Sequence, residues 1–372
     1  MKKKLSIVSA ITLTLILLST VVSASSGQAT GPEVNQAQDA EQDLSDRGGG
    51  PQPLALQNAI RHESGSWNGV ESAIETANPP VSSSQWSWVR AFVQHYSGGH
   101  NYFGEFGWEK RYPYTDPRLR LVWQNEGGWH GDLGDPVETG SVHWYKIQNT
   151  DGGTEWDFYL DLDSYDSKEL SFSATTRVAS GGEVSESEIQ MGPSDCKWNK
   201  YYHDNTWSYY SGREQSDSGY HADLIDTYHW NVWGPDEGET GFTSSTNPGG
   251  GNGASWEEKE VTTEAEAISI ALQQAKWYHG LGSEPLSVAA GQMTWGEFLE
   301  LVKEEPSPRR ASDSIVWVVS IKGNVVCHNP PTADGTPSHS EYDNMYAVLE
   351  ANTGILIREG AWNPGYEPEW SF

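Results

Sequence analysis

From Ser66 to Trp233 the chain is cut into short runs by turn signals, and this cadence restricts the fold more than any other feature. The signals are Asn78-Pro79-Pro80, Gly98-Gly99, Asp116-Pro117, Gly127-Gly128, Asp151-Gly152-Gly153 and Gly181-Gly182. The runs between them are predicted strands at 67–76, 86–95, 102–109, 118–124, 141–148, 154–161, 169–178 and 182–190. Helical periodicity is absent there. Many short strands at regular spacing imply a mainly β fold, an antiparallel β-sandwich over residues 65–235. The 18 tryptophans suit either its core or an aromatic-lined binding surface.

The flanks read differently. Lys2, Lys3 and Lys4 precede a short apolar run from Leu5 to Leu18, and Val22-Ser23-Ala24 has the small residues of a cleavage site. Residues 1–24 are therefore expected to be a signal peptide, and the remaining chain secreted and free of the membrane. Residues 25–64 read as a linker or disordered lead segment, with a short helix predicted over Leu54–Arg61. A Gly-, Ser- and Thr-rich linker spans 236–258. Beyond it, Thr263-Glu264-Ala265-Glu266 and Thr294-Trp295-Gly296-Glu297 are capping boxes that open helices. Ile315–Ile321, Met345–Leu349 and Ile355–Ile357 read as strands, so residues 259–372 are predicted to be a small α+β domain. In its VWVVSIKG strand and VLEANTG hairpin this part resembles the PepSY, cystatin-like class of extracytoplasmic modules. That resemblance implies an inhibitory or chaperone-like role, and so intramolecular regulation by the C-terminal module.

The formal charge is −29, and loss of the three leader lysines takes it to −32. So acidic a surface argues against nucleic acid and anionic membranes as partners, since both require Lys and Arg to displace counterions. The two cysteines, Cys196 and Cys327, are too few for a disulfide framework; pairing them would tie two distant regions together. No Cys/His spacing resembles a zinc site, no HExxH helix or GxSxG elbow occurs, and Asp161–Asp166 lacks the glycine and final glutamate of a calcium loop. No metal or cofactor is expected.

Two acidic residues stand out against this background. Glu105 lies in the aromatic run Tyr102–Trp108, where alternation puts Phe103, Glu105 and Gly107 on one face, and Phe106 and Trp108 on the other. Glu183 follows Gly181-Gly182, and glycines there permit a sharp turn or a close approach to a ligand. Taken singly, each reads as a surface acid on a strand.

Together they resemble the neprosin family of glutamic peptidases. The matching residues are Glu105-Phe106-Gly107-Trp108, then Pro117-Arg118-Leu119 and Trp123, the strand Trp156–Leu160, Gly181-Gly182-Glu183-Val184, and Gln190-Met191-Gly192. They occur in the family's order between about Trp67 and Tyr210. The resemblance implies a β-sandwich related to the eqolisin-type glutamic peptidases, catalytic glutamates at Glu105 and Glu183, and a preference for proline-containing protein or peptide substrates. Trp108 and Trp123 become candidates for packing against substrate, with core packing as the other reading. Gln190 becomes a candidate to polarise the scissile carbonyl, against an ordinary strand role. The chain departs from the plant members in a shorter segment between Glu183 and Met191, in residues 25–64, and in its C-terminal module.

The chemistry is coherent. Two adjacent carboxyls do not both ionise easily, so one holds a proton while the other is a base toward water. This requires Glu105 and Glu183 to share one cleft. Which is the base stays open. A non-catalytic sandwich that binds carbohydrate or cell wall through its tryptophans is the alternative, and a retaining glycosidase is a third use of two carboxyls.

Overall fold

The computed structural model describes residues 56–82, 84–235, 259–281, 285–304, 310–332, 338–366 and 368. The expected signal peptide, the lead segment before 56 and the linker at 236–258 lie outside the described residues. Strands dominate, and every strand pair is antiparallel. They form two sheets.

The longer sheet has eleven strands. Its first seven positions are β13 (Arg213–Ser216), β1 (Gln57–Ser64), β10 (Arg177–Val184), β3 (Trp86–Ser97), β4 (His100–Arg111), β5 (Arg118–Asn125) and β6 (Gly128–Pro136). It continues without a break into β19 (Leu356–Trp362), β18 (Ser338–Glu350), β17 (Ile315–Asn329) and β16 (Ser287–Thr294). The second sheet stacks on the first half of this one. It comprises β2 (Gly69–Glu75), β7 (Val142–Gln148), β8 (Glu155–Leu160), β9 (Asp163–Glu169), β11 (Met191–His203), β12 (Thr206–Tyr209), β14 (His221–Asp226) and β15 (His229–Gly234). Between the sheets lies an aromatic and aliphatic core with Val89, Phe106, Trp108, Leu121, Trp156 and Trp230. Alternation along each strand fills this core from one face of the long sheet and leaves the other face for the C-terminal half.

That half brings two helices, α1 (Glu264–Tyr278) and α2 (Trp295–Val302), each capped by the threonine that the sequence pattern marks, Thr263 and Thr294. Ala267, Ala271, Ala275 and Tyr278 of α1 join a second core with Trp86, Trp88, Phe103, Val122 and Trp129 on the outer face of the long sheet. The expected α+β pattern is present, but as a continuation of the sandwich sheet rather than a separate domain. Arg358, Glu359, Gly360 and Ala361 of β19 pair with Asp132, Gly131, His130 and Trp129 of β6, and the described residues form one compact unit. The physical reason is the edge of β6, which would otherwise present unpaired backbone groups.

Two further expectations change. Residues 57–64 are neither a linker nor a helix: they form β1, pairing over eight residues with β10. The polar Asn58 and His62 masked the strand pattern, because they face a polar site rather than the apolar core. The expected strands 169–178 and 182–190 are replaced by β9 and β10. A tight turn at Asp161-Leu162, both at positive φ, closes the β8–β9 hairpin early. Cys196 and Cys327 are free and buried in the two different cores.

Candidate active site

The site starts from an arginine inside an apolar strand. Arg90 lies mid-strand in β3 and is wholly buried. Its cross-strand neighbours are Gly107 of β4 and Gly181 of β10. A Cβ on Gly107 would run into the Val89 carbonyl and lie 2.6 Å from Arg90 Cα; one on Gly181 would run into the Ala59 carbonyl, and Gly181 has a φ of +151°. Gly107 thus serves close backbone approach to Arg90, and Gly181 close approach to β1 on the other side of β10. Two residues along each neighbouring strand, on the same face, come Glu105 and Glu183.

Arg90 holds both. Its Nε donates to Glu105 Oε1 at 2.8 Å, and its Nη2 donates to Glu183 Oε2. Both carboxyls are 2 % exposed, which makes this a dry charge cluster. Burial pushes the Glu105 carboxyl above its ordinary range against the pull of Arg90, Arg120 and Arg177. Burial likewise pushes Glu183 up, to about 7, with Arg90 opposing and the Glu105 charge adding. Burial would lower Arg90, but the two glutamates outweigh it and raise it. Two carboxyls against one guanidinium leave one negative charge in excess. One bound proton removes it, which is why the pair favours a protonated member in a dry site.

A second charged cluster continues along the same face. Arg111 Nη2 lies 3.1 Å from Glu109 Oε1 and 3.4 Å from Glu359 Oε1, and Arg120 pairs with Glu359 as well. His279 Nε2 sits 2.9 Å from Glu359 Oε2. Burial would raise the Glu359 carboxyl, but Arg120, His279 and Arg111 hold it well below the usual range. A cavity of about 30 Å³ opens between the clusters, large enough for water and too small for a peptide. Glu105, Glu183, Glu109, Arg120, Trp88 and Trp129 line it from the sheet, while Tyr278, His279 and His328 come from the C-terminal half.

The structure therefore brings Glu105 and Glu183 to one face and one cavity, with Arg90 between them. It does not bring the other three candidates there. Trp108 is an odd number of residues from Glu105, so it points into the sandwich core, where its Nε1 donates to the Glu75 carbonyl at 2.9 Å. Trp123 is opposite Gly104, lies in the same core and stacks on His130 at 5.0 Å. Neither packs at the cavity: strand parity overrides the proximity in sequence. Gln190 is exposed in the connection between β10 and β11 and does not line the cavity.

Sequence reasoning missed Arg90, Arg120 and Glu359. The signal for Arg90 was there, since a lone charge in Trp86–Val93 must find a partner once that strand is buried. Glu359 had no such signal, because its place at the site depends on the β19–β6 pairing.

No family model matches the chain, and no curated protein does. Among solved structures it is similar to scytalido-glutamic peptidase bound to a peptide-based transition-state analogue, at 12 % identity and a TM-score of 0.33, over 48 % of this chain and 96 % of that one. It is also similar to SCP-B, a member of the eqolisin family of peptidases in complex with the tripeptide Ala-Ile-His, at 10 % identity and a TM-score of 0.30, over 48 % and 96 % of the two chains. A third similar structure is the Bacillus licheniformis β-glucanase, at 11 % identity and a TM-score of 0.24, over 46 % of this chain and 66 % of that one.

Proposed function

We propose that this chain is a secreted glutamic endopeptidase whose working pair is Glu105 and Glu183. The observation that carries the reading is that both carboxyls are held by one arginine and line one cavity. In this reading the ionised carboxylate takes a proton from a water in the cavity. The resulting hydroxide adds to the peptide carbonyl, and the protonated carboxyl gives its proton to the departing nitrogen. Arg90 acts as a positioning residue: it fixes both side chains and makes the singly protonated cluster neutral. With Glu183 pushed up to about 7, the required proton is retained through acid pH and lost as pH rises past neutrality. The leader-like pattern of residues 1–24 supports work outside the cell.

Digestion of denatured protein between acid and neutral pH, with cleavage sites read by mass spectrometry, tests this. Glu105→Gln and Glu183→Gln should each reduce kcat by about 10²–10⁴-fold. Undiminished cleavage by Glu183→Gln overturns the assignment.

One observation favours a second reading, carbohydrate binding. Trp198 and Tyr209 are each nearly half exposed on the second sheet's outer face. Trp198 stacks on Trp144 at 5.3 Å, and Tyr209 on Tyr228 at 4.6 Å, with Lys200 against the rings of Trp144 and Tyr209. Such a platform offers ring faces to a sugar. Retention on insoluble polysaccharide, lost in Trp198→Ala and kept in Glu183→Gln, is the result this reading requires.

A further inference from the structure

The face that carries Glu105 and Glu183 is crossed by the chain itself. The segment His328-Asn329-Pro330-Pro331-Thr332 runs off the end of β17, and Asn329, Pro330 and Pro331 are buried. Its carbonyls are gripped by side chains, one after another. Trp129 Nε1 donates to the His328 carbonyl at 3.1 Å, Asn101 Nδ2 to Pro330 at 3.4 Å, Gln94 Nε2 to Pro331 at 3.3 Å, and Arg177 Nη1 to Thr332 at 2.9 Å.

Those four donors stand on β6, β4, β3 and β10, in the order in which these strands occur across the sheet. All four project from the face of Glu105 and Glu183: Gln94 is opposite Arg177 and Phe103, and Trp129 is opposite Gln124. The segment leaves the β17–β18 ladder at Asn329, whose Nδ2 donates to Ser340 Oγ at 2.9 Å, and Pro330, Pro331 and Thr332 then lie across the strands, gripped at their carbonyls. Two prolines have no N–H to offer, so only such a track can hold them. Trp129 and His328 also line the cavity that contains both glutamates, so one end of the track borders that cavity. The space left there admits water and no peptide.

We propose that Trp129, Asn101, Gln94 and Arg177 form a backbone-binding track for an extended, proline-containing peptide, and that His328–Thr332 occupies it as a built-in competitor. The proposal rests on the peptidase reading of Glu105 and Glu183 for its consequence, which is that the chain is self-inhibited in this form. The occupation itself is a matter of binding and is measured separately. A tethered competitor acts at an effective concentration of roughly millimolar, so a free peptide must compete with it.

The test uses the full chain carrying Glu105→Gln, so that no peptide is consumed. Asn329, Pro330, Pro331 and Thr332 are replaced by Gly, Gly, Ser and Ser, and binding of a fluorescent His-Asn-Pro-Pro-Thr peptide is followed by anisotropy. Gly and Ser keep the carbonyls but lose the fixed proline backbone and its buried rings, so the tethered segment competes more weakly and binding at least about tenfold tighter than to the unreplaced chain is expected. Arg177→Gln in the replaced chain should weaken it again by roughly tenfold, the value of one charge-assisted bond. Equal binding by replaced and unreplaced chains, with cooperative unfolding of both, overturns the proposal. Should the fourfold replacement fail to fold, Pro331→Gly alone must show the same increase in smaller measure, and its absence overturns the proposal as well. With Glu105 restored, tighter binding without cleavage leaves the track standing and removes the peptidase reading.

Discussion

Arg90 Nε lies 2.8 Å from Glu105 Oε1 where neither group reaches solvent. The bond lies on a diagonal between neighbouring strands, made possible by the glycine opposite Arg90. Glu183 repeats it from the other side. Removal of the arginine would strand two buried carboxyls. Arg90→Met should therefore lower the unfolding free energy at pH 7 by about 3–5 kcal/mol, the usual cost of breaking a buried pair. The loss should shrink at pH 4, where both carboxyls can take up protons. Urea unfolding at the two pH values measures it, and a pH-independent loss would contradict the charge argument.

Glu183 makes a separate prediction about stability and pH. Its carboxyl is raised in the folded chain, to about 7, by burial. The folded state therefore binds a proton that the unfolded state has released, and the sign follows: this contribution is complete below the ordinary carboxylate range and is lost as pH rises through about 7. Glu359, held well below that range, works the opposite way and loses its contribution only in strong acid. The unfolding midpoint of the chain should fall between pH 5 and pH 8. Glu183→Gln should flatten that slope.

Trp108 and Trp123 offer a clean separation of core from cleft. Trp108 is fully buried between the sheets. Trp108→Ala should cost about 3–5 kcal/mol as a large-to-small core change. Trp108→Phe should unfold at lower denaturant yet show an unchanged KM on any cleaved peptide. A raised KM with unchanged stability would return Trp108 to the substrate.

Truncation after residue 258 tests how the two halves depend on each other. It strips β19 from β6 and uncovers Trp86, Trp88, Phe103 and Trp129. An unpaired edge beside exposed aromatics is an aggregation surface. The truncated chain is expected to be insoluble, or to unfold without cooperativity. A soluble fragment with an undiminished Tm would show that the halves are independent domains.

The comparison with sequence expectation has a physical pattern. Strands β2 to β5, β7 and β8 were legible because glycines, prolines and asparagines mark their ends, and both helices because threonine capping boxes mark their starts; β6, rich in glycine and aspartate, carried no such pattern. The two glutamates were legible only as a pair of motifs. Local alternation already assigned Trp108 to the face away from Glu105, and that parity was the better guide to its role than nearness in sequence. β1 was hidden because Asn58 and His62 face a polar site, where the binary pattern inverts. Arg90's partners and the β19–β6 pairing depend on contacts between residues far apart in the chain, which carry no local signature.

The two thiols have a consequence for handling and for habitat. Cys196 is shut in the sandwich interior and Cys327 in the layer on the far side of the long sheet. Burial pushes both thiols far above their ordinary range, so neither presents a thiolate to an oxidant. No covalent staple joins the halves; backbone pairing and aromatic packing do. The fold is therefore indifferent to redox poise, and the same unfolding curve is expected in dithiothreitol and in air.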